Sequence, residues 1–211
     1  MAGIGDDGWH AVTLPGKRAT RYAATHKAGR WAVAALADRS ASMWRRRVDI
    51  PHDQLGRVKL SWWVDQLNPA ASVADIDSED AVARVVFAFE GDRSQLSPRT
   101  RAMFDLAQLL TGEAPPYATL MYVWDTHAAP GSMIVNPRSD RIRKIVLDSG
   151  KKQLGQWRDH QRDLGADFQR AFGEAPGKLV GIAFMTDADN TGATSKAWYG
   201  HVDVGAISTL R

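Results

Sequence analysis

Asp187-Ala188-Asp189-Asn190-Thr191-Gly192 gathers carboxylate, amide and hydroxyl oxygens on one short stretch of chain. Hard cations such as calcium take several such oxygens at close range. Asp187, Asp189 and Asn190 are therefore a candidate metal set, and a structural calcium ion is the cofactor they would hold. The helix–loop–helix calcium motif is excluded, because the position that requires its closing Glu is Trp198. The same residues read as a turn stabilised by Asx side chains, with Gly192 left-handed. His201 and Asp203 share one strand face and offer two further ligands.

A second set is aromatic. In 81–90 (AVARVVFAFE), strand parity puts Arg84, Val86 and Ala88 on one face and Val85, Phe87 and Phe89 on the other. The Phe face belongs to the core, and Asp80 stands four residues before Arg84. Tyr122 and Trp124 share a face opposite Met121 and Val123. Trp62 and Trp63 are adjacent, so one of them must leave the core. An exposed aromatic face beside Arg suits a sugar, whose C–H groups stack on rings while its hydroxyls or carboxylates bond polar side chains. Arg84, Tyr122, Trp124, Asp80, Trp62 and Trp63 are thus the expected ligand-binding residues, and a polysaccharide or oligosaccharide the expected partner. The alternative is that these rings fill a large core and Arg84–Asp80 is a structural ion pair.

An acidic-polysaccharide lyase would use Arg84 or the Arg45–Arg47 run against a uronate, with Tyr122 or His127 as base. A retaining hydrolase would need two carboxylates about 5 Å apart, for which Asp125 with Asp187 or Asp189 is the pair to inspect. No catalytic residue is assigned. There is no G-x-S-x-G, phosphate loop, dinucleotide fingerprint or H-E-x-x-H. Zero Cys excludes disulfides, thiolate metal sites and thiol nucleophiles.

The elements that must position these residues are mostly strands. Segments 31–37, 43–50, 57–65, 81–90, 119–125, 141–148, 179–186 and 197–204 are rich in β-branched and aromatic residues and bounded by turns. About eight strands at this spacing suit an all-β, two-sheet antiparallel sandwich or jelly roll. Two helices interrupt them. Ser97-Pro98 opens one that Gly112 stops, and the other covers about 163–172 ahead of Gly173. Strands and helices do not alternate, which argues against a parallel doubly wound sheet.

The chain of 211 residues is 44% hydrophobic and 24% charged, an ordinary globular composition long enough for one large sandwich. Residues 8–207 read as one domain, and 1–7 as a short leader or a disordered N-terminus. No apolar run is long enough to span a bilayer, and no signal peptide is visible. Segment 17–59 is basic and segment 65–92 acidic, so the two either pair across the fold or leave a basic face for an anionic polymer. No recognition helix or aromatic RNA-binding strand accompanies them, which makes nucleic acid an unfavoured partner.

The runs Leu154-Gly155-Gln156-Trp157, 162–168 (RDLGADF), 172–176 (FGEAP) and 181–192 (GIAFMTDADNTG), with Tyr199-Gly200, Asp80-x-x-x-Arg84 and Tyr122-Val123-Trp124, resemble domain-of-unknown-function family 3047 of bacteria. The likeness covers the chain from about Gly8 onward. It implies a galactose-binding-type or lectin-type sandwich and an extracytoplasmic or periplasmic setting, and it brings no catalytic residues. The expectation is a non-catalytic carbohydrate- or ligand-binding sandwich of the cell envelope. Its alternatives are a polysaccharide-cleaving enzyme acting on an acidic glycan, or a structural, partner-binding envelope protein.

Overall fold

Alternation along the Val/Phe run sets the architecture. Val85, Phe87 and Phe89 are sealed from solvent in a core between two sheets, while Arg84, Val86 and Ala88 face outward. The computed structural model describes residues 8–205, so the leader expected at 1–7 and the end of the expected domain at 206–207 lie outside the described residues.

The elements in chain order are β1 (Trp9–Thr13), β2 (Arg21–Lys27), β3 (Arg30–Asp38), β4 (Ala41–Ile50), β5 (Arg57–Val64), β6 (Ala83–Phe89), α1 (Pro98–Thr111), β7 (Ala118–Asp125), β8 (Met133–Asn136), β9 (Ser139–Ser149), β10 (Trp157–Asp163), α2 (Leu164–Phe172), β11 (Leu179–Asp187) and β12 (Thr194–Asp203). A seven-stranded sheet runs β1-β4-β11-β6-β7-β9-β8 and packs on a five-stranded sheet, β10-β5-β12-β3-β2. The protein is a mostly-β sandwich of two sheets with two helices.

The expected strands and helices all form. Twelve strands stand among the described residues rather than about eight, because β1, β2, β8 and β10 are polar or short. β10, for instance, is Trp-Arg-Asp-His-Gln-Arg-Asp, held by its register with β5 and not by its own apolar pattern. Every pairing is antiparallel except β7 with β9, which is parallel because the β8–β9 hairpin folds back outside β7.

Ser97 accepts a hydrogen bond from the Thr100 amide at the start of α1, and Gly112 (φ 73°) ends that helix in the left-handed region. α2 is capped by Asp163 and puts Leu164, Phe168 and Ala171 into the core, with Phe168 against Phe89. α1 buries only Thr100 and Phe104.

Candidate functional site

The outward face of the seven-stranded sheet carries a groove of about 710 Å3. Strand alternation builds its floor: Met43 from β4, Ala183 and Met185 from β11, Val86 from β6 and Met121 from β7 meet in one apolar cluster. No aromatic ring lines it.

One end of the groove is ionic. Arg84 is 2% exposed; its Nη1 donates to Glu79 at 3.1 Å and its Nη2 to Asp187 at 2.7 Å. Burial pushes the Asp187 carboxyl up to about 6 even though Arg84 favours its charge. Burial acts the same way on Glu79, but Arg84 and Lys144 outweigh it and hold that carboxyl below its ordinary value. Lys144 is fully buried beneath the loop that precedes β6, donates to the Val73 carbonyl and to Glu79, and is drawn down to about 8 mainly by burial.

Asp80, Asp187 and Asp189 bring ligand oxygens within 4.8 Å of one another. All three are already engaged. Asp80 accepts from the Asn190 and Thr191 amides and the Thr191 hydroxyl, Asp187 is paired with Arg84, and Asp189 with Lys17. The Asn190 amide group donates to the Ile76 carbonyl. The loop is therefore an Asp80-capped turn with Gly192 at φ 64°, and a cation there would compete with Arg84 and Lys17.

The other end is crossed by the connection between α1 and β7. Glu113 receives both Arg45 Nη atoms, at 3.1 and 3.2 Å, and Arg47 Nη2 at 2.9 Å. These hydrogen bonds, Arg45's first, keep its carboxyl below the ordinary range. β7 lies three strand spacings from β4, about 14 Å. The Glu113 contact thus bridges β11 and β6, with Ala114 and Pro116 in the wall. Arg45 Nε is buried and has no hydrogen-bond partner among the described residues.

The expected shared face of Arg84, Tyr122, Trp124 and Trp62 does not form. Cross-strand register pairs Arg84 with Val123, and Tyr122 with Val85. Tyr122, Trp124 and Trp62 point between the sheets at 0% exposure. The Tyr122 hydroxyl donates to Asp167, and burial drives its pKa well above the ordinary tyrosine value. Trp62 donates to Asp148.

Asp80 is likewise not the ion-pair partner of Arg84; Glu79 and Asp187 are. Asp125 accepts from the amides of Val73, His127 and Ala128 and lies outside the groove lining. His127 is exposed against the Pro69 carbonyl. Neither Tyr122 nor His127 stands where a lyase base was expected.

Trp63 leaves the core, as one of the adjacent pair must, but onto the far face of the five-stranded sheet. There Trp157, Trp63 and Trp198 sit abreast on β10, β5 and β12. Lys27 lies 4.8 Å from the Trp63 ring and 3.9 Å from Trp198, and Arg30 is 5.2 Å from Trp157. Of the two charged segments, Lys27–Asp65 is the pair that joins them directly; Arg45 and Arg47 find their carboxylate on Glu113.

The groove residues had two legible signals, the outward face Arg84-x-Val86-x-Ala88 of β6, which strand parity gave, and the alternation Met43-x-Arg45-x-Arg47 in β4. Nothing in the sequence placed Glu113 opposite it.

No helix among the described residues is long and apolar enough to cross a membrane. Three solved structures are similar to this chain at low identity. The family 11 carbohydrate-binding module from Clostridium thermocellum in complex with a beta-1,3-1,4-mixed-linked tetrasaccharide is 10% identical, with 94% of this chain and 89% of that one covered at a TM-score of 0.43. The xyloglucanase domain of NopAA, a type three effector from Sinorhizobium fredii in complex with cellobiose, is 8% identical over 95% and 92%, at 0.46. The family 11 xylanase from Neocallimastix patriciarum is 12% identical over 97% and 93%, at 0.42. Among curated proteins none matches the sequence. A family model does match, over residues 7–203, and the chain belongs to that family, described as protein of unknown function (DUF3047).

Proposed function

We propose that the protein is a non-catalytic binding module that holds an elongated ligand in the groove of the seven-stranded sheet. One observation carries this reading: a continuous floor of Met43, Val86, Met121, Ala183 and Met185, flanked by Arg45 in the row of Ala183 and by Arg84 in the row of Met185. Concave, largely apolar sites with a few convergent polar groups are what small-molecule ligands occupy. Binding is favoured over general acid–base chemistry because Asp187, Glu79 and Asp189 are each held against Arg84 or Lys17. The groove floor lacks the rings on which a sugar would stack, so the ligand's body is apolar.

The test is to place a ring in the floor. Ala183→Trp should abolish uptake of apolar fluorophores and amphiphiles while the thermal transition is retained. Unchanged uptake would end this reading.

A second reading, glycan binding, is supported by the row of Trp157, Trp63 and Trp198 with its attendant cations. Binding to a panel of neutral and uronate polysaccharides that falls by about 1–3 kcal/mol in Trp63→Ala would establish it. Release of reducing ends or unsaturated uronates from the same panel would instead make the protein an enzyme. We also propose, from the family resemblance, that the protein works in the periplasm or outside the cell. Fractionation of the native gene product tests this.

A further inference from the structure

We infer that the groove takes a free single-chain amphiphile with a terminal carboxylate or phosphate, whose anionic head docks on Arg45 and Arg47 in the place that Glu113 occupies. This rests on the groove-binding reading and names its ligand class. Two guanidiniums share one carboxylate at this point: Glu113 takes both Nη atoms of Arg45 and one of Arg47. Among the described residues Arg45 Nε is left buried without a partner, so the cluster retains donor capacity that a second or larger anion would use. Planar, forked donors of this kind suit carboxylate and phosphate. The neighbouring cation, Lys178, is already held by Asp49 and Glu90.

Arg45 also stands where the apolar floor begins. It pairs across the ladder with Ala183, one step along β4 from Met43 on the same face. A head group on Arg45 therefore leaves its chain lying across Ala183, Val86 and Met121, with Met43 beside it. Glu113 is about half exposed and belongs to the connection that leans over the groove, so it can swing outward without opening the core. It acts as an internal stand-in for the ligand's anion, and displacing it frees the mouth.

The experiment is calorimetric titration with decanoate, decyl phosphate, decanol and decyltrimethylammonium, each as monomer. The two anions should bind about tenfold or more tightly than decanol, since a charge-assisted hydrogen bond is worth that much. Glu113→Ala should strengthen anion binding several-fold. Arg47→Met, at an exposed position, and Arg45→Met should remove the preference for anions, so that decanoate and decanol bind each variant alike, with thermal melts reporting the fold. Equal binding of decanoate and decanol, both blocked by Ala183→Trp, would overturn the anionic class while the groove reading stands. Weaker anion binding in Glu113→Ala would overturn the displacement. Failure of all four probes to bind wild type and Glu113→Ala would remove both readings.

Discussion

Arg84 and Trp124 lie on paired strands, one step out of register, and face opposite sides of the seven-stranded sheet. The guanidinium enters the ionic end of the groove, while the indole is closed inside the core against Trp62. Changes at the two positions should separate cleanly. Trp124→Ala is expected to cost about 3–5 kcal/mol in urea unfolding, with ligand binding per folded molecule unchanged. Lost binding at undiminished stability would contradict its place in the core.

Arg84→Met leaves Glu79 and Asp187 buried without their shared cation. Removing one partner from such a network costs about 3–5 kcal/mol. Midpoints from chemical denaturation check this. Asp187→Asn in the Arg84→Met background should recover part of the loss, because it deletes one of the stranded charges.

The Asp187 carboxyl, raised by burial from 3.8 to about 6, gives a pH signature. A folded-state value above the unfolded one means that the folded protein holds this proton more tightly. Its contribution to stability is full below about pH 4 and is lost as pH rises through about 6, on the order of 3 kcal/mol. Glu79, shifted the other way, contributes above its unfolded value and loses that contribution as pH falls. Unfolding wild type and Asp187→Asn between these limits isolates Asp187: the advantage of wild type should shrink as pH rises. An advantage that grows instead would show the Arg84 ion pair outweighing the cost of burial.

Asp80 closes the 188–193 turn by accepting from two backbone amides. Asp80→Ala should cost about 1 kcal/mol, because it leaves two part-buried amide donors without their acceptor. Because the three aspartates are already satisfied, adding calcium or a chelator should leave the wild-type thermal transition in place. A calcium-dependent rise of several degrees would make the turn a metal site.

Helix α1 exposes Leu109 at 82% and Leu110 at 71%. Leu109→Gln with Leu110→Gln should therefore change stability by no more than about 0.5 kcal/mol per site, as measured by thermal unfolding. A larger loss would mean that these side chains are covered by something in solution, such as a second copy of the chain.

Much of the fold was legible because it is written along single strands. The alternation of Arg84, Val86 and Ala88 against Val85, Phe87 and Phe89 holds residue for residue, as does Tyr122 with Trp124 against Met121 with Val123. Both helix starts were visible in Ser97-Pro98 and Asp163, and both ends in Gly112 and Gly173. What parity within a strand cannot show is which face of β7 joins which face of β6. That depends on register, and a choice one residue off put Tyr122 and Trp124 beside Arg84. β2 and β10 were missed because their polar sequences draw order from neighbours. The Glu113 bridge was invisible because it joins positions far apart in the chain, with no local pattern to announce it.

The groove and the core are the two faces of the same strands, so adjacent residues on β6, β7 and β11 answer to different demands. Substitutions at Val86, Met121 or Met185 can reshape the cavity without touching the packing of Phe87, Tyr122 or Phe184. The same economy makes the sheet intolerant of insertions within those strands, since a slip of one residue would turn every ring outward and every groove residue inward.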